Sequence, residues 1–259
     1  MLTHPYLAGD GPVLLAHRGG STEVVENSLA AIEHTRRLGV TYLETDAHAT
    51  RDGVVVLHHD ANLGRLTGVR AEIADLTWRE LSSIADHSGS PPVRLDEALA
   101  SFPELRFNVD AKSDDVVAPL AELARRNLER IGLASFSDTR LARIRALAPG
   151  VSTSTGQSET ARLVALSRLP RGAALAARRP LAPTCLQVPL RHRGIPVVTA
   201  RLLDLAHSLG LEVHVWTVDD TAEMVRLLDL GFYGLVKDVP STAIRVMATI
   251  LPMSFCSLI

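Results

Sequence analysis

The chain has 259 residues with a formal net charge of −2, and 46% of them are hydrophobic, which is enough apolar content for a sizeable core but no basic footprint for nucleic acid. Two cysteines, Cys185 and Cys256, build no disulfide framework and point to a reducing, cytoplasmic setting. The opening residues MLTHPYLAGDGP lack the basic and apolar regions of a signal peptide, and no run approaches the roughly 18 apolar residues of a membrane span.

Strand-like and helix-like segments alternate along the chain. Residues 13–16 form an apolar strand that runs into His17-Arg18-Gly19-Gly20. Asn27 or Ser28 caps a helix to about residue 38, closed by Gly39. A strand over 42–48 follows, with Glu44, Asp46 and His48 on one face at period two. Arg51-Asp52-Gly53 carries turn chemistry, and the apolar run 54–57 delivers His58, His59 and Asp60 at its end. Next come helices over 77–85 and 95–102, the latter opening on Asp96, then a strand over 106–111 and a helix over 116–126.

The second half repeats the pattern. Strands are expected over 131–134, 151–155, 186–188, 212–218 and 234–237, with helices over 138–147, 159–167, 200–209, 221–230 and 241–250 between and after them. Eight strand–helix units suit a single-domain, closed parallel (β/α)8 TIM barrel with helices outside, and an open doubly wound sheet is the alternative. No linker divides the chain, so one domain over 1–259 is expected. The stretch 168–193, rich in Arg, Pro and Ala, is the least legible part and raises the question of contact with a membrane surface. The last four residues fit a prenylation pattern, which reads as a chance match or a packed end.

In such barrels chemistry gathers at the C-terminal ends of the strands. Those ends offer His17 and Arg18, then Glu44, Asp46 and His48 with His59 and Asp60 beyond, then Asn108, Asp110 and Lys112, and finally His214, Trp216, Asp219, Lys237 and Asp238. Neighbouring carboxylates on a strand repel unless a cation or proton sits between them. Glu44, Asp46 and Asp110 therefore read as oxygen ligands for a hard divalent cation, with no competing Cys/His zinc spacing. Two histidines at different strand ends can serve as general acid and base, and Arg18 and Lys112 add charge suited to a phosphate. Together these features fit phosphodiester cleavage. His48, His58 and His214 read as structural, and Asp60, Asp219 and Asp238 as turn or cap residues.

The stretch AHRGGSTEVVENSLAAIEHTRRLGVTYLETDAHATRDGVVVLHHDANLGRLTG resembles the N-terminal signature of glycerophosphodiester phosphodiesterases. It holds His-Arg-Gly, Glu-Asn before a helix, Glu-x-Asp, Asp-Gly, a closing His-Asp, and Arg-x-Thr-Gly in that order. Asn108-Val109-Asp110-Ala111-Lys112, HVWTVDD and GLVKDVP resemble later strands of the family, so the signature region covers about 13–240. The resemblance implies a TIM barrel that hydrolyses glycerophosphodiesters to an alcohol and glycerol 3-phosphate. It implies His17 and His59 as the acid/base pair, and Glu44, Asp46 and Asp110 as ligands of Ca²⁺ or Mg²⁺. Arg18 and Lys112 become phosphate contacts, and Trp216 a wall of the substrate site. Asp110 departs from the family's usual Glu by one methylene. The implied partner is a small-molecule glycerophosphodiester, and nothing in the sequence sets an oligomeric state. Two other readings are a lysophospholipase D-like enzyme and a barrel that binds a phosphorylated ligand without turnover.

Overall fold

The computed structural model describes residues 4–8, 12–170 and 182–250. Eight parallel strands carry the fold: β1 (Val13–His17), β2 (Tyr42–Ala49), β3 (Arg106–Ala111), β4 (Ile131–Ala134), β5 (Ser152–Thr153), β6 (Cys185–Pro189), β7 (Glu212–Trp216) and β8 (Gly234–Lys237). They are hydrogen-bonded in the order β5-β4-β3-β2-β1-β8-β7-β6. A parallel bridge between Ser154 and Cys185 joins the two ends of that path. The sheet therefore closes into a TIM barrel, and the open doubly wound alternative is excluded.

Among the described residues, eight helices of seven or more residues connect and cover the strands: α1 (Leu29–Arg37), α2 (Leu95–Ser101), α3 (Val117–Arg125), α4 (Asp138–Leu147), α5 (Gln157–Ser167), α6 (Ala200–Ser208), α7 (Thr221–Asp229) and α8 (Pro240–Ile250). Ser28, not Asn27, caps α1 by accepting from the Ala31 amide. Strand residues alternate between two environments. Leu43, Ala47, Phe107, Val109 and Ala111 pack outward under the helices on one side. Leu14, Ala16, Val213, Val215 and Leu235 do so on the other. Residues one step away, among them Leu15, Tyr42 and Val236, fill the barrel interior.

Three expected elements are shorter than the sequence suggests. The helix expected over 77–85 is one turn, Trp78–Leu81, although Thr77 and Glu80 form a capping box. Beyond it the hydroxyls of Ser82 and Ser83 turn back onto the carbonyls of Arg79 and Glu80, competing with further helical bonds. The strand expected over 151–155 is regular only at Ser152–Thr153. The strand expected over 212–218 stops at Trp216, since Val218 turns its amide to the Val236 carbonyl.

Two additions sit at opposite poles. At the C-terminal mouth, β2 continues into an antiparallel hairpin with Val55–Leu57, which in turn pairs with Val93–Arg94. Gly53 makes the turn at φ 82°, a conformation open to Gly without a steric cost. At the other pole, the segment around Pro5–Leu7 plugs the barrel. Tyr6 is fully buried and stands edge-on to Tyr42, with ring centroids 5.5 Å apart. A Cβ on Gly132 would lie 2.4 Å from the Tyr6 ring, so only Gly leaves room for it. Tyr42 Oη and Arg106 Nη1 donate to the Tyr6 carbonyl at 2.7 and 2.9 Å. The Tyr233 hydroxyl donates to the carbonyl of Leu7.

Positions 171–181 of the Arg-rich stretch and the terminal segment 251–259, with its prenylation-like ending and Cys256, lie outside the described residues. Among the described residues no helix is long and apolar enough to cross a membrane.

Candidate active site

Strand register brings the predicted residues together at the mouth. His17 on β1 lies beside Glu44 on β2, which lies beside Asn108 on β3, and one level higher Asp46 pairs with Asp110. All five are on the inward period of their strands, as are Trp216 on β7 and Asp238 just past β8. The hairpin brings His59 over the same end: the His58 amide donates to the Asp46 carbonyl at 3.0 Å, and His48 Nε2 lies 3.2 Å from the His59 carbonyl.

Each predicted acid/base histidine has a carboxylate at its back. His17 Nδ1 is 2.5 Å from Asp238 Oδ1, and His59 Nδ1 is 2.7 Å from Asp60 Oδ1. An ionised carboxylate only accepts, so both imidazoles carry a proton on Nδ1 and keep Nε2 for exchange. Burial by itself would lower the His17 pKa, but the hydrogen bond to Asp238 and the charges of Glu44 and Asp238 outweigh it and raise it. Its hydrogen bond from His17 holds the Asp238 carboxyl below the usual range. Burial would raise Asp60, yet hydrogen bonds from His59 and Arg65 hold it at about 2. Asp60 and Asp238, expected as turn or cap residues, are thus the anchors of the two imidazoles. Asp60 was signalled by directly following His59, whereas Asp238 is seen to share the inward period of Gly234 and Val236 only once the register of β8 is fixed.

The carboxylates and cations form one cluster. Lys112 Nζ stands 2.8 Å from Asp46 Oδ1 and 2.7 Å from Asp110 Oδ2. Arg18 Nε is 3.1 Å from Asp46 Oδ2, close enough for charge pairing, though Nε makes no formed hydrogen bond. The Arg18 amide donates to Glu44 Oε2 at 3.2 Å, and Asn27, held at φ 54°, donates from Nδ2 to Asp46 Oδ2. Burial, then the charge of Asp46, pushes Glu44 up to about 7. Burial also raises Asp110, while Lys112 and Arg18 overcome burial and lower Asp46.

Among the described residues no three His, Cys, Asp or Glu side chains are grouped as a ready metal cage. The donor chemistry nonetheless fits a hard cation. Three carboxylates face two cationic side chains, Asp110 Oδ1 is buried without a hydrogen-bond partner, and burial together with the charges of Asp46 and Asp110 pushes Glu44 toward protonation. His48 and His58, read as structural, are buried and lowered by desolvation, and His214 is fully enclosed and depressed by burial to about 4.

Trp216 lines the mouth, where it meets a residue the sequence reading passed over. Phe136, in the loop after β4, stands edge-on to Trp216 with centroids 5.9 Å apart. It is 55% exposed, which makes it one of the few large apolar side chains left open to solvent.

Residues 17–242 match the model of the "Glycerophosphoryl diester phosphodiesterase family". The chain is 34% identical over 241 residues to "Probable glycerophosphodiester phosphodiesterase 2" of Mycobacterium tuberculosis, covering 91% of this chain and 90% of that protein. It is 25% identical over 269 residues to the human "Lysophospholipase D GDPD1", covering 88% and 83% of the two chains. Among solved structures it resembles an Oleispira antarctica phosphodiesterase in complex with sn-glycerol-3-phosphate, with a TM-score of 0.74 at 18% identity, covering 92% of this chain and 97% of that one.

Proposed function

The chain belongs to the glycerophosphoryl diester phosphodiesterase family of hydrolases, and on that footing we propose that it cleaves glycerophosphodiesters to an alcohol and glycerol 3-phosphate by paired histidine catalysis. The observation that carries this reading is the pair of imidazoles, His17 on Asp238 and His59 on Asp60, each with Nε2 left for proton transfer.

With substrate bound, one imidazole takes the proton of the glycerol hydroxyl next to the phosphoryl group. That oxygen attacks phosphorus in line and closes a cyclic phosphate as the bond to the leaving alcohol breaks. The other histidine, as imidazolium, gives its proton to the departing oxygen. Water then opens the ring with the two roles exchanged, and both protonation states are restored. Arg18 and Lys112 supply the fixed positive charge that meets the phosphoryl oxygens, and Trp216 walls the bound substrate. Glu44, Asp46 and Asp110 would hold a divalent cation, Ca²⁺ or Mg²⁺, which would polarise the phosphoryl oxygens when bound. The buried free Cys185 fits a reducing compartment, and the cytoplasm is the proposed location.

The test is a panel of glycerophosphodiesters assayed with Ca²⁺, Mg²⁺, Mn²⁺ or chelator, with glycerol 3-phosphate and free alcohol measured directly. Product from small diesters is expected, with loss of rate in chelator. No product from any diester with any metal would overturn the assignment.

The exposed Phe136 against Trp216 favours a second reading, in which the mouth takes a lysophospholipid and the enzyme acts like a phospholipase D. Phe136→Ala would then lower kcat/KM for lysophosphatidylcholine at least tenfold more than for glycerophosphocholine, and equal effects on both would dismiss this reading.

A further inference from the structure

The Arg-x-Thr-Gly motif, Arg65 to Gly68, has no part in the chemistry above, yet its geometry is purposeful. It forms the single-turn helix Gly64–Thr67 in the segment after His59. Leu66 is buried, the Thr67 hydroxyl donates to the Leu63 carbonyl, and Gly68 ends the turn at φ 75°. The turn is thereby fixed and leaves Arg65 as its free-reaching side chain. Arg65 Nε donates to Asp60 Oδ2 at 2.6 Å and Nη2 donates to Glu26 Oε1 at 2.6 Å. Asp60 presents its other oxygen to His59, and Glu26 takes both of its oxygens to Arg18 Nη1 at 3.2 Å.

We infer that Arg65 is a positioning residue for the hydrolysis proposed above: its planar fork locks Asp60 behind His59 and Glu26 behind Arg18, so that the hairpin-borne imidazole and the barrel-borne guanidinium are set against the same phosphorus. The physical basis is an unbroken alternation of nitrogen-bearing side chains with carboxylates, His59–Asp60–Arg65–Glu26–Arg18–Asp46–Lys112–Asp110, with every neighbouring pair at 3.2 Å or less. The two ends of that series lie on different units, the segment beyond β2 and the strand ends of the barrel. Arg65 is the member that spans between that segment and the loop after β1. Only a guanidinium offers two donors in a rigid plane for two carboxylates at once. A surface pair of this kind adds little stability by itself, so its value lies in geometry.

This inference rests on the proposed activity, and the experiment separates the two. Arg65→Gln should lower kcat about 10²-fold, the scale of a small misplacement of a reacting group. KM should stay within about threefold and the thermal midpoint within a few degrees. Arg65→Lys, which can meet one carboxylate but not both, should recover about tenfold of the loss. Because Arg65 and Asp60 share the route to His59, the loss in the double variant Arg65→Gln/Asp60→Asn should fall short of the product of the two single losses by about tenfold, with the remainder passing through Glu26. Independently of turnover, the Nδ1–H proton resonance of His59, assigned by its absence in His59→Gln, should be sharp in the parent protein and lost to exchange in Arg65→Gln. A kcat within threefold of the parent for Arg65→Gln, multiplying losses in the double variant, or an unaltered His59 resonance would each overturn the positioning role. If the parent protein forms no product at all, the activity reading falls and the resonance alone decides the role of Arg65.

Discussion

Replacing His17 or His59 by Ala should cost about 10²–10⁴-fold in kcat, since each would remove one proton carrier. Single-turnover assays on the purified variants check this, and a rate within threefold of the parent would refute the pairing. Asp238→Asn probes the same chemistry one bond further out. The Asp238 carboxylate stabilises the His17 imidazolium, so its loss should lower the His17 pKa. Any limb of the pH–rate profile that needs protonated His17 then moves to lower pH, with kcat reduced about tenfold at neutral pH; profiles of kcat/KM for the two proteins decide it. At this scale His17, Glu44, Asp46 and Asp110 were legible because a strand's period of two and a shared strand end suffice to group them. Asp238 was not, since a carboxylate before Val239-Pro240 looks like a helix-opening residue until the register of β8 is known. Phe136 was equally hidden, because its contact with Trp216 joins the loop after β4 to the end of β7, which are distant in sequence.

Among the elements, the segment carrying Tyr6 shows what pattern reading misses. Its three-residue turn, Pro5–Leu7, has no periodicity to detect, and its ring is received by Gly132 and Tyr42, which are remote in the chain. Tyr6→Ala should empty the lower barrel and destabilise the protein by about 3–5 kcal/mol, the cost of removing a buried aromatic. Urea unfolding measures this, and a loss below about 1 kcal/mol would show that the plug is dispensable. Gly132→Ala should be nearly as damaging, because its methyl group would overlap the same ring. The strands and covering helices, by contrast, were readable from alternation, caps and stop signals. The misjudged boundaries at 77–85, 151–155 and 212–218 lie where hydroxyl side chains or loop hydrogen bonds outcompete regular structure.

For the molecule as a whole, the count of eight strand–helix units was legible, but closure was not, because it depends on the Ser154–Cys185 bridge rather than on any strand pattern. Stability against acid is a property of the same scale. His214 titrates at about 4 in the fold against its ordinary 6.5, so between those pH values the unfolded chain binds a proton that the folded chain refuses. Stability should therefore fall as pH drops from about 6.5 to about 4, by about 1.4 kcal/mol per pH unit for this group. His48 and His58, also lowered, add to the slope. In His214→Gln the dependence of unfolding free energy on pH should lose one proton's share, whatever the variant's stability at pH 7; an unchanged slope would contradict the assignment. The ring itself is uneven: β2 and β3 share six register pairs, whereas β4 and β5 share two, and β5 meets β6 at one bridge flanked by the Thr155 and Thr184 amides. That thin clasp lies diametrically across from β1 and β2, where His17, Glu44 and Asp46 are mounted. Warming should loosen the clasp first, so exchange of the Thr155 and Thr184 amides, which donate across it to the Cys185 and Thr153 carbonyls, ought to accelerate at temperatures where turnover is still intact.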